Sequence, residues 1–378
     1  MRKISYPTGN ALKIFEKNYL EALSSVDKVR IDFFLKKAPK YKGSFLTFDT
    51  LVLLPLAELI SIEKSLTLIA KKENKPKWNT GSFLPSLPLG NDFLDLFDYK
   101  LKQKQISSVF RQEKALRLKT CHYCGIDYIN GFSDFGDYKG PIDFLNNADK
   151  EDLLAFPEIG PATLIKIESH RKLKKIKTID DIKPDADLKK LLTEFDFKNN
   201  YDHFTLDHVI PQKPYGFFSL CLYNLVPSCY CCNTKFKGNS KHFTVDNSLL
   251  RISPTSKDYS IPDNFKFKVL FSGRLKDIIK TTDFVLRLDY SGHFSEVSKY
   301  DKTFKLRGRY IAHKDELLRL MKKKVKYPDC DIVLKAKLLQ ISPEEYKKII
   351  YGEDIFKKKC SAPMHKFKRD VAKNIKIM

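Results

Sequence analysis

The chain has 378 residues, with 69 lysines and arginines against 46 aspartates and glutamates, a formal charge of +23. That length points to two or three domains rather than one core, and a composition of 42% hydrophobic and 12% aromatic residues excludes disorder as the default. The charge directs the chain toward a polyanion such as a nucleic acid, because it draws phosphates over long range; a merely solubilising basic surface is the other reading of charge alone.

Residues 1–118 read as a mainly helical region, since apolar residues recur at helical spacing in ALKIFEKNYLEAL and LAELISIEKSLTLIAKK. The most apolar run, from Leu51, is broken by Pro55, Glu58, Glu63 and Lys64, short of the ~20 apolar residues of a membrane span. The first twenty residues carry no apolar core of signal-peptide type, and neither end carries a lipidation signal. The expectation is therefore a cytoplasmic protein with no membrane partner. In that compartment eight cysteines serve metals or stay free thiols rather than forming disulfides. WNTGSFLPSLPLGN (78–91), rich in Pro and Gly, reads as a loop that ends a subdomain. Residues 119–240 carry every motif that suggests chemistry. Beyond them, within 241–378, FKFKVLFSG and DFVLRLDYSG alternate apolar with polar and end at Gly, as paired strands do. Helices follow, one opening at Ser342-Pro343-Glu344-Glu345, a capping-box start. The fold class expected is α+β: a helical N-terminal region, a central domain and a C-terminal strand-then-helix region.

Within the central domain, Cys121-His-Tyr-Cys124 and Cys229-Tyr-Cys-Cys232 are two CxxC knuckles. Two residues between cysteines let both thiolates face one ion, and two pairs complete a tetrahedral Zn2+ shell. Such a zinc is structural, because four thiolates leave no open position for substrate. A redox dithiol is the competing reading, and Cys231 inside the second knuckle leaves one ligand assignment open. Cys221, Cys330 and Cys360 have no partner pattern and read as ordinary thiols.

Between the knuckles, and overlapping the second, runs FTLDHVIPQKPYGFFSLCLYNLVPSCYCCNTKFKG. Phosphodiester hydrolysis needs a base to take a proton from water and a cation to hold the phosphate. His208 suits the base, because an unperturbed imidazole titrates near working pH. Asp207 and the Asn233 side-chain carbonyl are hard oxygen donors that suit Mg2+ or Mn2+, which the motif does not tell apart. Neighbours on a regular strand point to opposite faces, so Asp207 and His208 call for a local bend, and a following helix returns Asn233 to the metal. Asn224 can fix the connecting loop through side-chain-to-backbone hydrogen bonds. His203, five residues before the motif and without flanking Pro-Gln, reads as structural.

LDHVIPQ, then YNLVP, then CYCCNTKFKG resembles the signature of the HNH (ββα-metal) endonuclease superfamily in its variant with four zinc-binding cysteines. It is similar to bacterial HNH proteins with the order CxYC, D/E-H-x-x-P and NL-x-P-x-C-x-x-C-N, a broad group that includes the HNH subunit of Septu-type anti-phage systems. The likeness covers residues 119–240. It implies a short β-hairpin and a helix around the metal, Asp207 and Asn233 as metal ligands, His208 as general base and Asn224 as loop-fixing asparagine. Where Asn233 stands many members have His. Lys235 and Lys237 follow on the implied helix and are phosphate contacts or solvated lysines.

The interval between knuckles also holds NNADKEDLLAFPEIGPATLIKIESHRKLKKIKTIDDI, which looks like a helix-hairpin-helix insertion spanning 141–185. It reads as a short helix ending near Ala155, a hairpin from Pro157 to Gly160, and a second helix carrying Ile165, Lys166, Arg171 and Lys172. Such modules bind the DNA backbone through N–H groups at the second helix start, with Gly160 allowing close approach. Glu158 stands where the family hairpin has glycine, and its carboxylate repels phosphate, so DNA contact and a purely structural role stay open. The resulting expectation is a metal-dependent endonuclease on double-stranded DNA in a restriction or phage-defence role. Its alternatives are an RNA target, or a catalytically silent zinc-stabilised nucleic-acid-binding protein. An ATPase subunit or a second copy of the chain is the protein partner that the resemblance suggests.

Overall fold

A computed structural model describes residues 1–36, 46–72, 95–198, 200–212, 215–238 and 243–378. The Pro/Gly-rich stretch 78–91, expected to be a loop, lies outside the described residues. The architecture is mixed α+β: among the described residues there are many short helices and three small antiparallel sheets. The chain forms two compact units, one from Met1–Ile129 together with Phe204–Met378, the other from Asn130–His203. Among the described residues no helix is long and apolar enough to cross a membrane.

In the first unit, helix Asn10–Ala22 buries Phe15 and Tyr19, four residues apart on one stripe. Helix Leu56–Lys72 buries Leu56, Leu59, Ile60 and Leu66 at the same spacing. Helix Tyr99–Gln112 starts at Asp98, whose side chain accepts from the Lys100 N–H at 2.8 Å, and lays Phe110 edge-on against Phe15. The same core receives β3 (Thr205–His208) and β4 (Leu225–Ser228), an antiparallel hairpin in register from Thr205 opposite Ser228 to His208 opposite Leu225. Farther along, β5 (Phe265–Leu270) pairs antiparallel with β6 (Val285–Tyr290), so both expected strands are present and joined. Phe265, Phe267 and Val269 point inward at every second position, as a half-buried strand requires. Helix His365–Asn374 closes the outer edge of β5. Asp370 accepts from the Phe267 N–H at 3.2 Å and Asn374 from the Val269 N–H at 2.9 Å, which satisfies amides a further strand would otherwise take. Ser342 and Glu345 make the expected reciprocal cap of helix Pro343–Tyr351.

The second unit is helical, with Pro141–Asn147, Lys150–Ala155, Pro161–Leu173 and Ala186–Glu194 around a cluster of rings. Phe156 stacks on Phe197 at 5.8 Å, and Phe135 and Phe144 meet edge-on at 5.2 Å. Its two ends are tied by β1 (Gly131–Phe132) and β2 (Tyr201–Asp202), paired antiparallel, and by the His203 N–H on the Asn130 carbonyl at 2.8 Å. The hairpin from Phe156 to Gly160 holds Glu158 at φ +66, a left-handed conformation that favours glycine.

Candidate functional site

The two knuckles come together. Cys121, Cys124, Cys229 and Cys232 are buried, and their sulfurs lie within 4.8 Å of one another. A tetrahedral zinc with bonds of ~2.3 Å needs sulfurs just under ~4 Å apart, and Cys124 and Cys229 stand at 4.0 Å. The group can thus hold a structural metal such as zinc. Cys231 lies outside the cluster, half-buried. The Ile126 and Cys232 amides each donate to a knuckle sulfur at 3.4 Å. Arg309 donates to Cys232 Sγ at 3.2 Å and Cys124 Sγ at 3.5 Å while pairing with Asp127 at 2.6 Å, so a cation offsets the excess negative charge that four thiolates bring to one ion. Burial disfavours the Cys124 thiolate, yet the other three thiols and Arg309 hold its pKa well below the ordinary thiol value. Tyrosines fix the first knuckle from behind: Tyr310 donates to the Cys124 carbonyl at 2.7 Å and Tyr300 to the Tyr123 carbonyl at 2.8 Å. Of the other cysteines, Cys221 is buried with its thiol on the Leu51 carbonyl, Cys330 is exposed and Cys360 half-buried.

The second knuckle leads directly into a wide helical turn, Cys231–Lys237, closed by the Gly238 N–H on the Asn233 carbonyl five residues back at 2.7 Å. Asn233 and Lys237, four residues apart, lie over the face of β3 that carries Thr205 and Asp207. The Thr205 hydroxyl donates to the Ser228 carbonyl at 3.2 Å, so it can only accept from Asn233, whose Nδ2 stands at 3.0 Å. That fixes the amide and leaves Asn233 Oδ1 as the oxygen turned away from Thr205.

Asp207 is 4% exposed. Tyr123 donates to its Oδ2 at 2.6 Å, and the Lys237 ammonium, on a residue 6% exposed, stands 2.9 Å from both carboxylate oxygens and also donates to the His208 carbonyl. Burial raises the Asp207 pKa, while Lys237 and the Tyr123 hydroxyl oppose the rise. Lys237, by sequence a phosphate contact or a solvated lysine, instead turns its ammonium inward. Lys235 is exposed. Tyr123, inside the first knuckle, was not singled out at all, although it stands in the CxYC pattern itself.

The ladder runs without a break through both Asp207 and His208, and the chain bends only afterwards, at Val209 and Ile210. The bend expected at the pair itself is thus displaced by one residue. His208 packs edge-on against Tyr99, ring centres 4.7 Å apart, with Nε2 2.8 Å from the Ser219 carbonyl. A carbonyl only accepts, so Nε2 carries the proton and Nδ1 the lone pair. Burial lowers the His208 pKa to about 4 against the opposing pull of the Ser219 carbonyl, which keeps the ring neutral at pH 7. Asn224, fully buried, holds the loop: Oδ1 accepts from the Ile210 N–H at 2.6 Å, and Nδ2 donates to the carbonyls of Ile210 at 3.1 Å and Phe218 at 3.0 Å. Among the described residues no hydrogen bond joins the His208 ring to Asp207 or Asn233.

In the second unit, Lys166 and Lys172 are exposed, and a side chain at Gly160 would meet open space. Arg171 instead spends its guanidinium on the carbonyls of Leu145, Ala148 and Phe144, at 2.6, 2.8 and 3.3 Å, satisfying the end of helix Pro141–Asn147. His203 is exposed, beside Asn130. No family model matches the chain, and neither a curated protein nor a solved structure matches it.

Proposed function

We propose that the chain is an HNH-type, metal-dependent endonuclease that hydrolyses phosphodiester bonds, with double-stranded DNA ahead of RNA as its substrate. The observation that carries this reading is the anchored His208. Its Nε2–H is held by the Ser219 carbonyl, in a loop that Asn224 locks with three hydrogen bonds, at the end of a hairpin whose next residue back is a buried carboxylate. A fixed tautomer with its lone pair on Nδ1 is what a general base for water requires. Support also comes from the hairpin-then-helix order of β3, β4 and Cys231–Lys237, from the four-cysteine cluster at its base, and from the formal charge of +23.

Asp207 and Asn233 Oδ1 are hard oxygen donors of the kind Mg2+ or Mn2+ takes, and these two residues would hold it. Bound there, the ion supplies positive charge to the phosphate and the leaving oxygen. The chain's own part is to accept the water proton at His208 Nδ1 and to keep that ring from turning through Ser219, Tyr99 and the Asn224-locked loop. In the second unit, Lys166 and Lys172 are among the exposed lysines of the helix-hairpin-helix-like stretch that can meet a DNA backbone.

The test is plasmid DNA incubated with wild type and with His208→Ala, with Mg2+ or Mn2+ and then with excess EDTA. Nicking by wild type that EDTA stops and that falls by about 10²–10⁴-fold in His208→Ala is the expected result. Equal cutting by both proteins would remove His208 from its role. Binding without cutting favours the second reading, a silent zinc-stabilised nucleic-acid-binding protein, which the occupation of Asp207 by Lys237 supports.

A further inference from the structure

Resting on the nuclease reading above, we infer that Lys237 is an internal cation that competes with the divalent ion for Asp207, so that metal loading requires Lys237 to leave and nucleic acid promotes that departure. The ammonium lies 2.9 Å from both Asp207 oxygens, on a residue 6% exposed, against a carboxylate 4% exposed. A divalent ion on that carboxylate and an ammonium in this position repel each other at contact distance, where little water screens them. The pair is therefore an alternative to the metal, not a companion of it. The Asn233 amide lies over the same strand face with Oδ1 turned away from Thr205, so one donor stands ready while the other is occupied.

Lys237 has somewhere to go. Its ammonium sits on a flexible aliphatic stem, and Gly238 follows it at φ +46. Outside the pocket an ammonium costs least where an anion meets it, and a phosphodiester laid across the site is such an anion. The exchange balances in charge: the carboxylate passes from ammonium to divalent ion, and the ammonium passes from carboxylate to phosphate. By linkage, DNA and metal then tighten each other's binding. Without nucleic acid the protein keeps its metal-binding carboxylate blocked, a safeguard against idle loading.

The experiment is Mn2+ titration followed by electron paramagnetic resonance, which reads bound metal without any turnover. Wild type, Lys237→Met, Lys237→Arg and Asp207→Asn are compared, alone and with a phosphorothioate duplex that resists cleavage. Lys237→Met keeps the stem and removes the charge; it binds Mn2+ about tenfold or more tighter than wild type and gains little from the duplex. Lys237→Arg stays as weak as wild type, and Asp207→Asn binds least. Cobalt in the four-cysteine site, read by its thiolate absorption, reports that each variant is folded. Equal or weaker Mn2+ binding by folded Lys237→Met overturns this inference and leaves the nuclease reading standing. Absence of Mn2+ binding in every protein, with duplex present, overturns both. If Lys237→Met fails the cobalt control, lysine 15N NMR of wild type decides: Mg2+ with duplex must move the Lys237 Nζ resonance, and an unmoved resonance overturns the inference.

Discussion

Residues 130–203 close around rings, with Phe135, Phe144, Phe156 and Phe197 packed among leucines and isoleucines. Residues 204–238, together with the first knuckle, close around sulfur and charge: four buried thiols, Arg309, and the Asp207–Lys237–Tyr123 group. The first kind of interior is held by area removed from water and by shape. The second is held by groups that are costly when alone and tolerable only together. An aromatic core loses stability in proportion to what is cut from it, whereas a polar cluster fails as a whole when one member is missing.

The largest expected effect separates the two units outright. Apparent free energies of about 10–16 kcal/mol attach to structural zinc in small four-ligand sites. Prolonged treatment with a strong chelator, or the double change Cys121→Ser and Cys124→Ser, removes amide-exchange protection across β3, β4 and 231–237 and leaves it across the helices of 141–194. Loss of protection in both at once would mean that the ring core does not stand alone. Next comes Phe156→Ala, at 1% exposure, which costs about 3–5 kcal/mol within 130–203. Zinc content by elemental analysis and the protection of β3 should stay as in wild type. Asn224→Ala follows, leaving the Ile210 amide and the Ile210 carbonyl without partners at a cost of about 2–3 kcal/mol. It should lower the melting temperature and DNA cleavage together, and full activity in a folded Asn224→Ala protein would refute its locking role. The smallest effect has the opposite sign. Glu158→Gly relieves a positive φ and stabilises 130–203 by about 0.5–1 kcal/mol, read as a rise in its own denaturation midpoint.

What the sequence made legible was local. The CxxC spacing, the alternation in β5 and the Ser342 cap are each written in a few adjacent residues. The finer arrangement depends on contacts between distant residues that no local pattern encodes. Tyr123 reaches Asp207 across 84 residues, and Arg309 reaches Cys124 across 185. Tyr99 lies far from His208 in sequence and edge-on to it in space. Lys237 looked like any basic residue on an exposed helix face because only tertiary packing turns it inward; its buried carboxylate lies 30 residues back. The Arg171 guanidinium likewise donates to three carbonyls that no local pattern links to it.

The tie between β1 and β2 bears on how the chain is made. The two cysteine pairs leave the ribosome far apart, Cys229 following Cys124 by 105 positions. An ion held by the first pair alone would have to wait for the second at the end of a long, floppy tether. Residues 130–203 have their own core, and once they fold, the pairing of Gly131–Phe132 with Tyr201–Asp202 brings the two ends of that stretch together. The open chain between the knuckles then falls from 104 residues to the 6 before Gly131 and the 26 after Asp202, which saves about 1 kcal/mol of closure entropy. The four cysteines are thus easier to bring together than their spacing along the chain suggests.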